Sequence, residues 1–129
     1  MHKQFLLTGA LLGALAVLLG AFGAHGLKQI VPPETVNTFQ TGVQYQMYHA
    51  IALLLVAIIY ERYSNKLITW AGRCFIFGTI LFSGSLYLLT AIKATDTVGL
   101  SSIGIVTPFG GLFFIAGWLL LFAGVLKKK

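Results

Sequence analysis

Long runs of apolar residues alternate with short polar joints along this chain. Four runs contain no Asp, Glu, Lys or Arg: Phe5–Ala24, Phe39–Tyr60, Cys74–Ile92 and Thr97–Leu126. Each run is close to or beyond the roughly 20 residues that a helix needs to cross the hydrocarbon core of a bilayer. The pattern therefore predicts four transmembrane helices, at about residues 5–26, 39–60, 67–92 and 104–126.

The joints between these predicted spans are short, so consecutive spans are expected to be antiparallel neighbours. Residues 1–129 are predicted to form a single membrane domain, an all-α antiparallel four-helix transmembrane bundle. Small residues recur at helical spacing in the first and last spans, and such stripes let two helix backbones approach closely in lipid. Packing within one chain is the main interpretation of the first stripe, and self-association of two copies is the alternative. The glycines predicted to pack helices are Gly9, Gly13, Gly20, Gly110, Gly117 and Gly124.

The composition excludes an ordinary soluble fold. Hydrophobic residues make up 57% of the chain and charged residues 9%, whereas charged residues are roughly 25% of an average soluble domain. A soluble protein of this length has too small an interior to bury so much apolar surface, and the exposed remainder would aggregate. The single cysteine, Cys74, excludes an intramolecular disulfide.

The positive charges mark the ends of the spans. Although the net charge is +6, the basic residues do not follow an aromatic-studded groove, so no nucleic acid partner is expected. By the positive-inside rule, the side with more Lys and Arg faces the cytoplasm. Only Lys28 and Lys93 lie on the poorer side. The protein is therefore predicted to be a multi-pass protein of the cell (inner) membrane with both termini cytoplasmic. The cytoplasmic basic residues would be Lys3, Arg62, Lys66, Arg73 and Lys127–Lys129.

The second predicted span carries a concentration of polar residues. Gln44, Tyr45, Tyr48 and His49 lie in its outer half, with Thr41 above them. On a helical wheel these five residues cover an arc of about 140°. Because lipid cannot hydrogen-bond their side chains, we expect them to face the bundle interior or a wet cavity.

The other three spans bring polar or glycine-rich segments to the same outer half of the membrane. This asymmetry predicts an outward-facing polar pocket. Hydrogen bonds that merely join helices are the alternative interpretation of the same side chains. The candidate pocket residues are His25, Gln44, Tyr45, Tyr48, His49, Ser83, Ser85, Tyr87 and Thr107.

Several kinds of chemistry lack the residues they need. No acidic residue lies in a span, so catalysis by paired carboxylates is unsupported. Ser83 or Ser85 together with His49 would lack a third, orienting acid. The metal-ligand spacings HxxH, HxxxH and CxxC do not occur, nor does the haem-attachment sequence CxxCH. We therefore predict no catalytic residue, no metal and no cofactor.

Four short motifs together resemble a known family. They are Gly20–Leu27, Thr41–Ala50, Phe82–Tyr87 and Thr107–Gly111. In this order, they are similar to the YgdD/YwdK family of small bacterial inner-membrane proteins, a domain-of-unknown-function family. The resemblance covers nearly the whole chain. It implies a four-span protein of the cell membrane and no established activity.

Three functional hypotheses follow from the sequence. The leading one is a non-enzymatic binding or accessory protein that holds a lipid, a small amphiphile or a partner helix in the outward-facing pocket. The alternative is a small transporter or oligomeric channel that uses His49 as a mid-membrane polar or proton site. An enzyme or redox protein is the third. The expected partners are membrane lipids, with a second copy of the chain or another membrane protein as further candidates.

Overall fold

Four long helices form the described part of the chain. The computed structural model describes residues 1–95 and 101–127. Short 3-10 helices, Leu27–Gln29 and Ser101–Ile105, precede the second and fourth of the long helices. Each of these four helices has the length and the apolar composition needed to cross a membrane. The prediction of an all-α four-span protein is therefore confirmed. The helices are α1 (Lys3–Ala24), α2 (Pro33–Ile59), α3 (Lys66–Ala94) and α4 (Val106–Leu126).

Local chemistry sets the starts of α2 and α3. Pro33 occupies the first position of α2, where a missing N–H leaves no bond unmade. Glu34 follows it in the first turn, where a negative charge favours the positive end of the helix dipole. Asn65 caps α3, because its Oδ1 accepts hydrogen bonds from the backbone N–H groups of Leu67 and Ile68 at 3.0 and 3.2 Å.

The helices pack in chain order, α1 on α2, α2 on α3 and α3 on α4. Most buried residues belong to α2 and α3, which form the centre of the bundle, whereas α1 and α4 expose broad apolar faces. One buried cluster surrounds Leu53, Ile68 and Phe75, near the start of α1. A second surrounds Leu27 and Phe39, at the opposite end of the bundle.

Glycines line the closest helix contacts. A Cβ at Gly110 would collide with the backbone of Phe82, so α4 lies directly against α3 at this point. The remaining glycines that the sequence predicted to pack helices fall into three groups. In α4, Gly117 faces Phe75 and Gly124 faces Ile68, both of α3. In α1, Gly9 faces Leu54 and Gly20 faces Val43, both of α2. Gly13, also in α1, has open space around it.

Two polar contacts gather three chain segments at one end of the bundle. The backbone N–H of His2 donates to the carbonyl oxygen of Ala57 at 2.9 Å, and Asn65 Nδ2 donates to the carbonyl oxygen of Gly124 at 3.0 Å. The start of α1, the α2–α3 turn and the end of α4 therefore lie together, as in an antiparallel bundle. That this end faces the cytoplasm stays a prediction.

Replacing Asn65 with alanine is expected to lower the free energy of unfolding by about 1 kcal/mol, because it removes both the cap of α3 and the bond to Gly124. The midpoint of unfolding by sodium dodecyl sulfate, followed by far-UV circular dichroism in mixed micelles, measures this loss. Asn65→Asp is the matched control, since it keeps the capping oxygen and loses only the donor. An Asn65→Ala midpoint equal to that of the native chain would contradict the capping role.

Candidate functional site

His49 lies in an aromatic cluster between α2 and α4. Its side chain is buried, its ring stacks on Phe114 with 3.6 Å between centroids, and Trp118 Nε1 donates to its Nε2 at 3.1 Å. Because an indole N–H can only donate, Nε2 accepts, and Nδ1 must carry the ring proton. Nδ1 then donates to the carbonyl oxygen of Tyr45 at 2.7 Å. Both ring nitrogens of His49 are therefore engaged inside the bundle.

Tyr45 extends this cluster towards α3. Its ring packs against Phe82 with 4.6 Å between centroids, while 37% of the residue is exposed. Trp118 was not among the candidate residues from the sequence. The available signal was an indole in the middle of an apolar span, since its N–H needs an acceptor that lipid does not supply.

The candidate hydroxyl groups join helices in pairs. Ser83 Oγ donates to the carbonyl oxygen of Gly42 at 2.6 Å, which ties α3 to α2. Ser85 Oγ donates to the carbonyl oxygen of Phe82 in its own helix. Since that bond uses the only proton of Ser85, the 2.5 Å contact with Thr107 must be a bond donated by the Thr107 hydroxyl. It ties α3 to the first turn of α4.

Gln46, which the sequence analysis did not select, joins three helices. Its Nε2 donates to the carbonyl oxygen of Leu12 in α1 at 2.8 Å, and its Oε1 accepts from the hydroxyl of Tyr87 in α3 at 2.6 Å. Only 3% of Gln46 is exposed. Two residues correspond to about 200° of helix rotation, so Gln46 lies on the side of α2 opposite to Gln44 and Tyr48.

A groove between α1 and α3 has Gln46 at its base. Its volume is about 520 Å³. The walls are four leucines of α1 and, from α3, Thr79, Ile80, Gly84 and Tyr87. A Cβ at Gly84 would meet no atom within 4 Å. A Gln amide has two N–H donors and two acceptor lone pairs. Within the described ranges Gln46 uses one of each, so one N–H and one lone pair of the amide have no hydrogen-bond partner among the described residues.

The remaining candidates, Gln44, Tyr48 and His25, do not line this groove. Gln44 is exposed, and its amide has no hydrogen bond to any residue that the structure describes. Tyr48 is 56% exposed and contacts the ring of Tyr45. His25 is exposed and bonds the carbonyl oxygen of Ala21 in its own helix at 2.9 Å. The structure therefore distributes the nine candidate residues over several places, because α2 packs on α3 and α1 through the sides that do not carry Gln44 and Tyr48.

Metal-ligating residues do not gather in the described part of the chain. Residues 1–95 and 101–127 contain no group of three or more His, Cys, Asp or Glu side chains that could hold a metal ion. That the protein needs no metal or cofactor stays a prediction.

Comparison with known proteins gives full-length matches. The family model "Protein of unknown function (DUF423)" matches residues 19–111. The "UPF0382 membrane protein YwdK" of Bacillus subtilis is 41% identical over 126 residues, 97% of this chain and 98% of the relative. The "UPF0382 inner membrane protein YgdD" of Escherichia coli is 37% identical over 130 residues, 100% of this chain and 95% of the relative. No solved structure matches the chain.

Proposed function

Because the chain belongs to the DUF423 family of small membrane proteins, we propose that it acts within the bilayer as a non-enzymatic protein that binds a lipid-soluble small molecule in the groove between α1 and α3. The family assignment confirms the resemblance carried by the four sequence motifs. It also supports residence in the inner membrane, since YgdD bears that name. The binding role itself is the proposal.

The observation that carries this proposal is the unused hydrogen-bonding capacity of Gln46 in a groove whose surface is mostly apolar. Small-molecule sites have volumes of roughly 300–1,000 Å³ and combine apolar walls with a few placed polar groups. The groove fits this description with about 520 Å³, four leucines, and the amide that Tyr87 and Leu12 hold in place. A fixed amide offers directional bonds without first losing side-chain freedom, which favours binding.

The depth of Gln46 defines the chemistry of the ligand. Gln46 is the middle residue of the 27-residue α2, so it lies about 20 Å of helix rise from either end. The predicted second span begins at residue 39, seven residues or about 10 Å of helix rise from Gln46, so phospholipid headgroups lie above the level of Gln46. The ligand would instead have an apolar body and a neutral carbonyl or hydroxyl group that enters the bilayer core. It would reach the groove from the surrounding lipid.

The transport hypothesis rests on His49. A proton relay at this residue would have to release the bond from Trp118, because a protonated ring has no acceptor nitrogen. The contacts of His49 on both ring nitrogens favour a packing role. The transport hypothesis can be tested directly by measuring proton flux into liposomes. Flux with the native chain that stops in His49→Leu would support transport.

Filling the groove is expected to abolish binding. Gly84→Leu places a side chain into the open space beside Gln46 and leaves the hydrogen bonds of Gln46 intact. Gly13→Leu is the matched control, since Gly13 also has no atom within 4 Å of its Cβ position and does not line the groove. Native mass spectrometry of each protein, extracted from its own membrane in mild detergent, measures the retained small-molecule mass.

We expect a defined bound mass on the native chain and on Gly13→Leu, and its loss in Gly84→Leu. An equal bound mass on all three proteins would place the ligand elsewhere and overturn the proposal. A native chain that carries no bound mass would overturn it as well and would assign Gln46 to interhelical bonding alone.

A further inference from the structure

One face of α2 repeats with a strict spacing of alternating four and three residues. Six of its seven residues are exposed and Thr41 is half-buried, so no helix of the described chain covers this face. We call it the α2 seam. It consists of Asn37, Thr41, Gln44, Tyr48, Ile51, Leu55 and Ile58.

The outer half of the α2 seam is polar although it enters the membrane. Gln44 lies five residues inside the predicted start of the second span at residue 39. Its side-chain amide has no hydrogen bond to any described residue, and neither has the hydroxyl of Tyr48, which is 56% exposed. Lipid chains offer no donor or acceptor, so polar groups within a span normally face another protein surface or water.

We propose that the α2 seam is a dimer interface, in which α2 of a second copy of this chain lies parallel to α2 of the first. Copies with the same charge pattern insert in the same orientation. A twofold axis along the membrane normal then places every seam residue opposite its own equivalent at the same depth. An amide and a hydroxyl each donate and accept, so Gln44 and Tyr48 can pair with Gln44 and Tyr48 of the partner subunit.

The spacing of the α2 seam also supports a second copy of the chain as the partner. Apolar residues that repeat every 3.5 residues produce a left-handed coiled coil, and a polar Asn at such a position fixes the register of the two helices. The α2 seam keeps this period over its full length. Ile51, Leu55 and Ile58 supply apolar contacts in one half, while Asn37 and Gln44 supply paired amides in the other.

The other surfaces of the bundle lack these properties. The small-residue stripe of α1 is occupied within the chain at Gly9 and Gly20, which face Leu54 and Val43 of α2, while Gly13 has open space around it. The exposed faces of α1 and α4 are apolar, with Leu18 and Leu112 as typical residues, and lipid suffices to cover them. The α2 seam also lies opposite Gln46, so dimerisation and ligand binding in the groove can fail independently of one another.

Disulfide cross-linking in native membranes tests the dimer. Gln44→Cys and Ile51→Cys, each made in a Cys74→Ala chain, place one thiol at a seam position. Two equivalent seam positions across a parallel helix pair fall within the Cα separation of about 4.4–6.8 Å that a disulfide requires. Leu18→Cys and Leu112→Cys are the controls, since these residues are 67% and 60% exposed on α1 and α4.

Under mild oxidation, we expect both seam variants to form a species of twice the chain mass and both controls to remain single chains. Absence of that species from both seam variants would overturn the proposal. Equal cross-linking of the controls would show random collision and overturn it too. A cross-linked species of any other mass, identified by mass spectrometry as a different protein, would replace the second copy with that partner.

Discussion

Gly110→Val is expected to lower the free energy of unfolding by about 3 kcal/mol, the upper range for a side chain forced into a packed interior. Any Cβ at residue 110 would meet the backbone nitrogen and Cα of Phe82, and Phe82 belongs to the helix on which α4 packs. A backbone cannot rotate away as a side chain can. The two helices would have to separate, which would also loosen the contact of Gly117 with Phe75.

The adjacent glycine provides the control. A Cβ at Gly111 would approach only Phe82 Cδ2, at 4.0 Å, and replacing glycine by alanine within a helix stabilises it by up to about 1 kcal/mol. Gly111→Ala should therefore leave the protein unchanged or slightly more stable. Unfolding by sodium dodecyl sulfate, with far-UV circular dichroism as the readout, compares the two variants. Equal unfolding midpoints for Gly110→Val and Gly111→Ala would show that α4 does not pack on α3 at Gly110.

The four spans could be predicted from the sequence because the membrane acts on each segment separately. A run without charges that is long enough to cross the bilayer must become a helix, whatever the rest of the chain does. The family could be predicted as well, since its motifs are short and occur in a fixed order. Neither inference needs to know which helix faces touch.

The side of each helix that packs against its neighbours could not be predicted in the same way. In a soluble helix the polar side faces water, but both sides of a membrane helix are mostly apolar. Gln44 and Gln46 show the consequence, because they are the same residue type, two positions apart, on opposite sides of α2. The side on which α1 and α3 dock decides that Gln46 is buried and Gln44 exposed. That choice is made by packing between distant segments, as when Gly42 meets Ser83.

Gln46→Leu is expected to lower the free energy of unfolding by about 2 kcal/mol. Leucine has a similar volume, so the loss comes from the two interhelical bonds of the amide, which are individually worth about 0.6–2 kcal/mol in membranes. The change also removes the acceptor of the half-buried Tyr87 hydroxyl. The measurement is the same detergent unfolding, performed at high dilution so that only single chains contribute.

Gln44→Leu separates the local role of Gln46 from a general effect of removing an amide from α2. Gln44 is exposed and makes no hydrogen bond to any described residue, so a single chain should keep its stability when Gln44 becomes leucine.

A double-mutant cycle of Gln46→Leu with Tyr87→Phe isolates the 2.6 Å bond between Gln46 and Tyr87. The double variant should lose less than the two single variants combined, since each already breaks the same bond. Strict additivity would mean that Tyr87 does not hold the amide, and the amide would then lack the fixed orientation on which ligand binding in the groove depends.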